Sequence, residues 1–371
     1  MTTRILHVIP TLDRGGAEKQ LTLLAKGLSS GTYSAEFETH VYVLTRDGPL
    51  RADLEESDID TRLIGKRLKI DPIAWFRLRH HVKRLRPDIV HTWIFAADAY
   101  GRSAGKAGGA PRFITGLRCE DPWKGWKERF VDLRLAKRTR VFVANSKGVR
   151  DFYVKYGLPE EKLQIIPNGV APAAESPLSR EELLSRLGLP KETKLIGLIA
   201  RLWPQKRIKD AIWAADLLKV IRDDVHLLII GDGPHRARLE TYRNQAEIAD
   251  KVHFLGARND IADLLPHFDV IWSTSAYEGL SNVIMEAMAA ARPVVATDIP
   301  GTNELISHGE TGMLFPVGDR AAIAGCTKAL LERPDAAKRL GETARERVLA
   351  EYGVEKMVAR YADLYRHVMR D

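Results

Sequence analysis

Cysteine is nearly absent from this chain of 371 residues. Cys119 and Cys326 stand far apart and form no metal or redox spacing, which suits a reducing compartment and excludes a disulfide-stapled fold. Long apolar runs are missing too. No window approaches the roughly 18 apolar residues of a membrane span. The apolar segment 5–10 is too short for a secretory signal and runs into Asp13 and Arg14. A cytoplasmic protein is the expectation. No Gly-x-Gly-x-x-Gly fingerprint occurs, which argues against a resident nicotinamide dinucleotide. No Asp-x-Asp pair stands where it could carry a metal-bound diphosphate, so neither a metal nor a cofactor is expected. The basic segments "RLRHHVKRLR" (77–86) and "RLAKRTR" (134–140) lack interleaved aromatics, so nucleic acid is not an expected partner.

What remains is an ordinary globular composition, 45% hydrophobic and 29% charged, with too many residues for one ordinary core. The net charge of +8 is uneven. Residues 1–172 hold 30 Lys and Arg against 20 Asp and Glu, and residues 173–371 hold 27 against 29. A basic first half is either a solvated surface or a surface that meets an anionic substrate or anionic membrane headgroups. Its most concentrated stretch is "DPWKGWKERFVDLRLAKRTR" (121–140), where Trp126, Phe130 and Leu133 share a helical face flanked by cations. That face could be core packing or a helix lying in a membrane interface.

Short apolar runs alternate with helical periodicity along the chain. Strands are expected at 5–9, 40–44, 89–92, 113–116 and 141–144, then at 195–200, 227–230, 252–255, 270–273 and 294–296. Helices are expected at 17–28, 73–85, 126–136, 210–221, 236–248, 282–290 and 355–369. The pattern predicts parallel sheets covered on both faces. Periodicity fails at "NGVAPAAESPLS" (168–179), which predicts a domain over 1–172, a second over 173–353, and a final helix over 354–371 free to pack on either. Ligands of such sheets bind at the carboxyl ends of strands.

One such end precedes "YEGLSNVIMEAM" (277–288). A buried carboxylate is costly unless paired, yet Glu278 and Glu286 stand in an otherwise apolar or small run. Ser281 is placed to cap a helix, and the amides of Leu280, Ser281, Asn282 and Val283 stand at its N-terminus, where a phosphate is favoured. Glu278 falls in the loop and Glu286 one turn into the helix. A carboxylate accepts from two vicinal hydroxyls, so Glu286 suits a ribose and Glu278 a hexose. "ARLWPQKR" (200–207) supplies Arg201 and Lys206, a forked and a point cation for a diphosphate. "GDGP" (231–234) places Gly231 and Gly233 in a tight turn, and "FLGARNDI" (254–261) repeats the strand-to-loop pattern with Arg258. At the amino end "IPTLDRGGAEKQL" (9–21) brings Gly16 to a helix start.

In this order, these motifs resemble those of the retaining glycosyltransferases of family GT4. The similarity spans nearly the whole chain, with the E-x7-E element Glu278–Glu286 as its most specific part. It implies an α/β chain with the GT-B fold, two Rossmann-like doubly wound domains facing a central cleft, with the final helix crossing back to the first domain. It implies that Arg201 and Lys206 hold the donor diphosphate, Glu286 the ribose and Glu278 the transferred sugar. Gly16, Gly231, Gly233 and Arg258 would line the donor site, and His91 in "DIVHTW" would act on the acceptor side, with Asp98 and Arg118 as further acceptor residues. The family is metal-independent. Ala200, Arg207 and Ala291 depart from its pattern, standing where glycine is frequent, and Pro300-Gly301 replaces a Gly-Gly.

The expected activity is transfer of a hexose from a nucleotide diphosphate sugar, UDP-linked before GDP-linked, to a hydroxyl of a glycan or lipid-linked acceptor in cell-surface polysaccharide or lipopolysaccharide assembly. The protein would be cytoplasmic or peripheral at the inner membrane face. Two alternatives stay open: a nucleotide-sugar 2-epimerase of the same fold, and a non-catalytic nucleotide-sugar-binding protein.

Overall fold

Strands Ile89–Trp93 and Val225–Ile230 are buried at every position, as strands must be when helices cover both faces of a sheet. The computed structural model describes residues 2–370. The chain forms two units, one of residues up to Gly169 together with those from Val354 on, the other Val170–Gly353. The division falls three residues before the expected boundary at 172, and the final helix belongs to the first unit.

The first unit holds a seven-stranded sheet. In spatial order its strands are Asp60–Leu63, Phe37–Arg46, Thr3–Thr11, Ile89–Trp93, Arg112–Leu117, Val141–Ala144 and Leu163–Ile165, and every pairing is parallel. The second unit holds six, Val252–Gly256, Val225–Ile230, Lys194–Ile199, Val270–Ser273, Val294–Thr297 and Met313–Phe315, again all parallel. Parallel neighbours require crossovers, and helices supply most of them. The order in each sheet runs outward from a central strand in both directions, which places a switch point at the carboxyl edge.

Every expected strand is present. Asp60–Leu63, Leu163–Ile165 and Met313–Phe315 were not expected; each has three or four residues and lies at a sheet edge, too short for a periodicity to be read.

The last helix, Val354–Arg370, buries Met357, Val358, Tyr361, Ala362, Leu364, Tyr365 and Val368, one stripe at helical spacing. It packs into the same apolar cluster as Leu21, Leu24 and Phe37. Gly27 is required there, since a Cβ would meet Val358 Cγ2 at 2.4 Å. Arg366 forks onto Glu36 with two bonds of 2.8 Å, and this bidentate pair holds the Glu36 carboxyl below its usual range.

Two departures from glycine have a structural counterpart. Arg207 and Ala291 both adopt left-handed backbone, at φ 49° and 53°, a conformation that glycine takes without a Cβ clash.

Candidate active site

In the second unit, strands Lys194–Ile199 and Val270–Ser273 are neighbours, so the loops at their carboxyl ends lie side by side. The loop after the first carries Arg201 and Lys206, and a 3-10 turn at Pro204–Lys206 compacts it. The loop after the second carries Glu278. Hydrogen bonds lace the two together. Ala276 N donates to Gln205 O at 2.8 Å, Gln205 Nε2 to Tyr277 O at 2.7 Å, and Thr274 Oγ1 to Lys206 O at 2.7 Å. The lacing sets Lys206 Nζ on Glu278 Oε1 as an ion pair, with side chains 20% and 13% exposed. Ser275 Oγ donates to the same carboxylate oxygen at 2.7 Å. Lys206 and Glu278, read separately as diphosphate and sugar ligands, are therefore direct partners.

The helix Asn282–Ala289 begins just beyond, capped by Ser281, whose side chain accepts from Ile284 N. Leu280 is buried, Asn282, Val283 and Glu286 are half-buried, and Ile284, Met285, Ala287 and Met288 are buried in the core. Glu286 thus stays on the accessible side of a helix that is otherwise held by apolar packing. A cavity of about 20 Å³, room for roughly one water, is lined by Ala200, Lys206, Thr274, Ser275, Ser281 and Val283 among others. Arg201 is exposed, its guanidinium 5.9 Å from the Trp203 ring centroid.

The glycine turn packs closely against the Arg201 loop. Gly231 has φ 137°, and a Cβ there would stand 1.9 Å from Ala200 O. A Cβ on Gly233 would meet Leu202 O at 2.7 Å. Leu202 N donates to Asp232 O at 3.0 Å and His235 N to Leu202 O at 3.2 Å. These glycines let the turn lie against the Arg201 loop and hold it. Gly301 does the same for the Glu278 loop, since a Cβ would stand 1.7 Å from Gly279 O. With Thr297, whose hydroxyl donates to Ser275 O at 2.7 Å, it braces the loop that carries Glu278, a role visible only in tertiary contact. Arg258 is forked on Asp260, Nε to Oδ1 at 2.8 Å, an exposed pair within its own loop.

In the first unit, Gly16 is the exposed first residue of the helix Gly16–Leu28. Glu18 folds back over this helix start; it accepts from Thr11 Oγ1 at 3.0 Å, and a Cβ on Gly15 would strike it at 2.2 Å. That carboxylate already complements the helix dipole.

His91 corrects an expectation. It is wholly buried, stacked on Trp93 with centroids 4.7 Å apart, and its Nδ1 lies 2.8 Å from Tyr365 Oη. Trp93 Nε1 donates to His7 Nδ1 at 3.1 Å. Burial, aided by His7, pushes His91 well below the ordinary histidine range, and burial, aided by His40 and Arg118, pushes His7 down to about 3. This neutral pair belongs to the core and to the seat of the last helix, not to an acceptor surface. Arg118 joins the same seat. Its guanidinium lies 4.1 Å from the Trp93 ring centroid, donates to Tyr361 Oη at 2.5 Å and reaches Asn168 Oδ1 at 3.2 Å. Asp98 is also buried; burial pushes its carboxyl up to about 7 against the pull of Arg102. Next to these, Ile94 leaves its strand at φ 69°, a strained state for a β-branched residue.

The cysteines are half-buried and free, and among the described residues no group of three or more His, Cys, Asp or Glu could hold a metal ion.

Comparison with known proteins adds the following. Residues 179–347 match the family model for glycosyl transferases group 1, and residues 14–174 match that for glycosyltransferase family 4. A similar curated protein is the N-acetyl-alpha-D-glucosaminyl L-malate synthase of Bacillus anthracis, 31% identical over 57% of this chain and 56% of that protein. A putative glycosyltransferase, EpsD, of Bacillus subtilis is 31% identical over 52% and 51%; the chain thus matches little more than half the length of these relatives. An Escherichia coli UDP-Gal:alpha-D-GlcNAc-diphosphoundecaprenol alpha-1,3-galactosyltransferase is 26% identical over 76% of each chain. Among solved structures, Anabaena HepE in complex with UDP and glucose superposes with a TM-score of 0.87 at 22% identity, covering 98% of this chain and 100% of that one.

Proposed function

This chain belongs to the GT4-type, group 1 glycosyl transferases and has their GT-B fold, and on that premise we propose that it moves a hexose from a nucleotide diphosphate sugar, UDP-linked before GDP-linked, to a hydroxyl of a glycan or lipid-linked acceptor, with retention at the anomeric carbon. The observation that carries this reading is the laced pair of loops that brings Lys206 and Glu278 together ahead of the capped helix Asn282–Ala289. Lys206 and Arg201 supply positive charge for the departing diphosphate, and the start of the helix adds its dipole. Glu278 receives hydroxyls of the sugar, and Glu286 the ribose diol. The amides of residues 280–283, with Gly231 and Gly233 behind the Arg201 loop, keep these groups in place.

No carboxylate among these residues is assigned to attack the anomeric carbon. The departing phosphate oxygen accepts the acceptor's proton while the new bond forms on the same face, and protein cations take the role a divalent metal would play. Two of the relatives named above are, by their printed names, an N-acetyl-alpha-D-glucosaminyl L-malate synthase and a galactosyltransferase acting on GlcNAc-diphosphoundecaprenol, and cell-surface polysaccharide or lipopolysaccharide assembly is the setting proposed for this chain.

The test is acceptor-dependent release of nucleoside diphosphate. A thermal-shift panel of UDP, GDP and ADP chooses the base, since a binding nucleotide raises the melting temperature. Incubation of the matching sugar donors with and without acceptor then decides. Release only with acceptor supports transfer; release or epimerisation of UDP-GlcNAc without acceptor identifies a 2-epimerase; binding without turnover identifies a sensor.

A further inference from the structure

The helix Trp126–Ala136 is built inside out. Its inward face holds Asp132, which accepts from Arg102 Nη2 and from Lys124 Nζ, each at 3.0 Å. Tyr153 and Tyr156 close this buried network on Asp121 and Asp132. The aromatics point the other way. Trp126 is 76% exposed, Phe130 63% and nearby Trp123 58%. Of the face formed by Trp126, Phe130 and Leu133, half-buried Leu133 packs against the cluster of Phe142, Tyr153 and Tyr156, while core packing does not account for the two aromatics.

A second exposed apolar stretch meets it. Ile70 is 81% exposed, and on the helix Pro72–Leu85 so are Ile73 at 64% and Phe76 at 60%. The two stretches border one groove of about 580 Å³, lined by Ile70, Trp75, Phe130 and Val131 on its apolar side and by Arg134 and Arg138 among its cations. That volume falls within the range of small-molecule sites, roughly 300–1,000 Å³. Arg67, Lys69, Lys127, Arg129 and Lys137 are also exposed along these two segments. The acids of the same segments are engaged: Asp71 caps its helix and accepts from Ala74 N and Arg67 N, and Glu128 accepts from Gly125 N at 3.2 Å.

We propose that this face docks on an anionic phospholipid bilayer. Trp123, Trp126, Phe130, Ile70 and Ile73 enter the interface, one hydrocarbon chain enters the groove, and Arg134, Lys137 and Arg138 meet the phosphate. Exposed apolar clusters of this extent mark interaction sites, and the surrounding charge selects the occupant. A second copy would set this ring of cations against itself, whereas an anionic surface neutralises it. Among the described residues no helix is long and apolar enough to cross a membrane, so attachment here is peripheral.

The experiment is flotation with vesicles of phosphatidylcholine alone and of phosphatidylcholine with phosphatidylglycerol. Binding is expected to the anionic vesicles only and to fade in high salt. Each cation near such a surface contributes about fivefold in affinity, so Arg134→Gln with Lys137→Gln and Arg138→Gln lowers binding roughly a hundredfold. Ile70→Ser with Phe130→Ser abolishes it. Both variants change exposed side chains outside the proposed donor site, so their nucleotide affinity, read by calorimetry, stays at the wild-type value and reports that they are folded. Brominated lipids quench the indoles in wild type, and Trp123→Phe with Trp126→Phe removes most of that quenching, leaving the share of Trp75 at the groove. Absence of binding to anionic vesicles at low salt overturns the proposal. So does binding that survives both sets of substitutions, or a dimer in solution that Ile70→Ser with Phe130→Ser dissociates.

Discussion

Replacing Glu278 by Gln probes the contact on which the donor site turns. Gln keeps the size of the side chain and can still accept from Ser275 Oγ, but it removes the negative charge held by Lys206. A phosphate sharing the Lys206 ammonium with Glu278 would stand about 5–6 Å from that carboxylate. Two unit charges at that separation repel by roughly 3 kcal/mol at an effective dielectric near 20. Because both side chains keep 13–20% exposure and Glu278 also helps orient Lys206, a net gain of about 1 kcal/mol is expected, roughly fivefold tighter binding of UDP. Turnover moves the other way. Losing a charged acceptor for a sugar hydroxyl costs about 1.5–3 kcal/mol, or about 10- to 150-fold in kcat/KM. Lys206→Gln loses on both counts. Titration calorimetry with UDP and a coupled assay of UDP release measure the two effects. If Glu278→Gln weakens UDP as much as Lys206→Gln does, the two residues act as one structural clasp and the division of labour proposed here is wrong.

Arg201→Ala should weaken nucleoside diphosphate binding by about 1.5–3 kcal/mol, the scale of a charge-assisted bond, with unchanged affinity removing Arg201 from the site. Transfer should survive EDTA, and strict dependence on added Mg²⁺ or Mn²⁺ would overturn the account of leaving-group stabilisation. Ala291→Gly should raise the melting temperature of the second unit by about 2 °C, because relief of left-handed strain exceeds the entropy glycine adds; a lower melting temperature would refute it. The last prediction concerns pH. His7, depressed from 6.5 to about 3, contributes stability that is present above pH 6.5 and lost as pH falls toward 3, about 1.4 kcal/mol per unit. Asp98, raised from 3.8 to about 7, has the opposite sign, and its contribution is lost as pH rises through 7. Between pH 6.5 and 5 Asp98 offsets one of the two depressed histidines, His7 and His91, so Asp98→Asn should deepen the loss of stability by about 2 kcal/mol by pH 5 in urea unfolding. A flat profile would mean the histidines are not held neutral.

Sequence determined the architecture because parallel strands buried on both faces must be apolar along their length, and the helices between them must carry a stripe. Ten strands and the capped helix after Ser281 are local consequences of that pattern and could be read residue by residue, whereas the pairing of Lys206 with Glu278, 72 residues apart, needed neighbouring strands to bring their loops together. Local pattern is also what misled. His91 lies mid-strand in Ile89–Trp93, and the direction of its side chain depends on Tyr365, 274 residues away; the strand's own sequence holds no trace of that partner. Gly231 and Gly233 read as turn glycines beside a ligand, whereas each is also fixed by a carbonyl of a loop remote in sequence. The helix Trp126–Ala136 shows the same limit from the other side. Its aromatic stripe obeys the rule for a buried face, yet Arg102 and Lys124 draw Asp132 inward and turn the aromatics out. Periodicity fixes which residues share a face of a helix; which face is buried is decided by the partners that the fold brings to it.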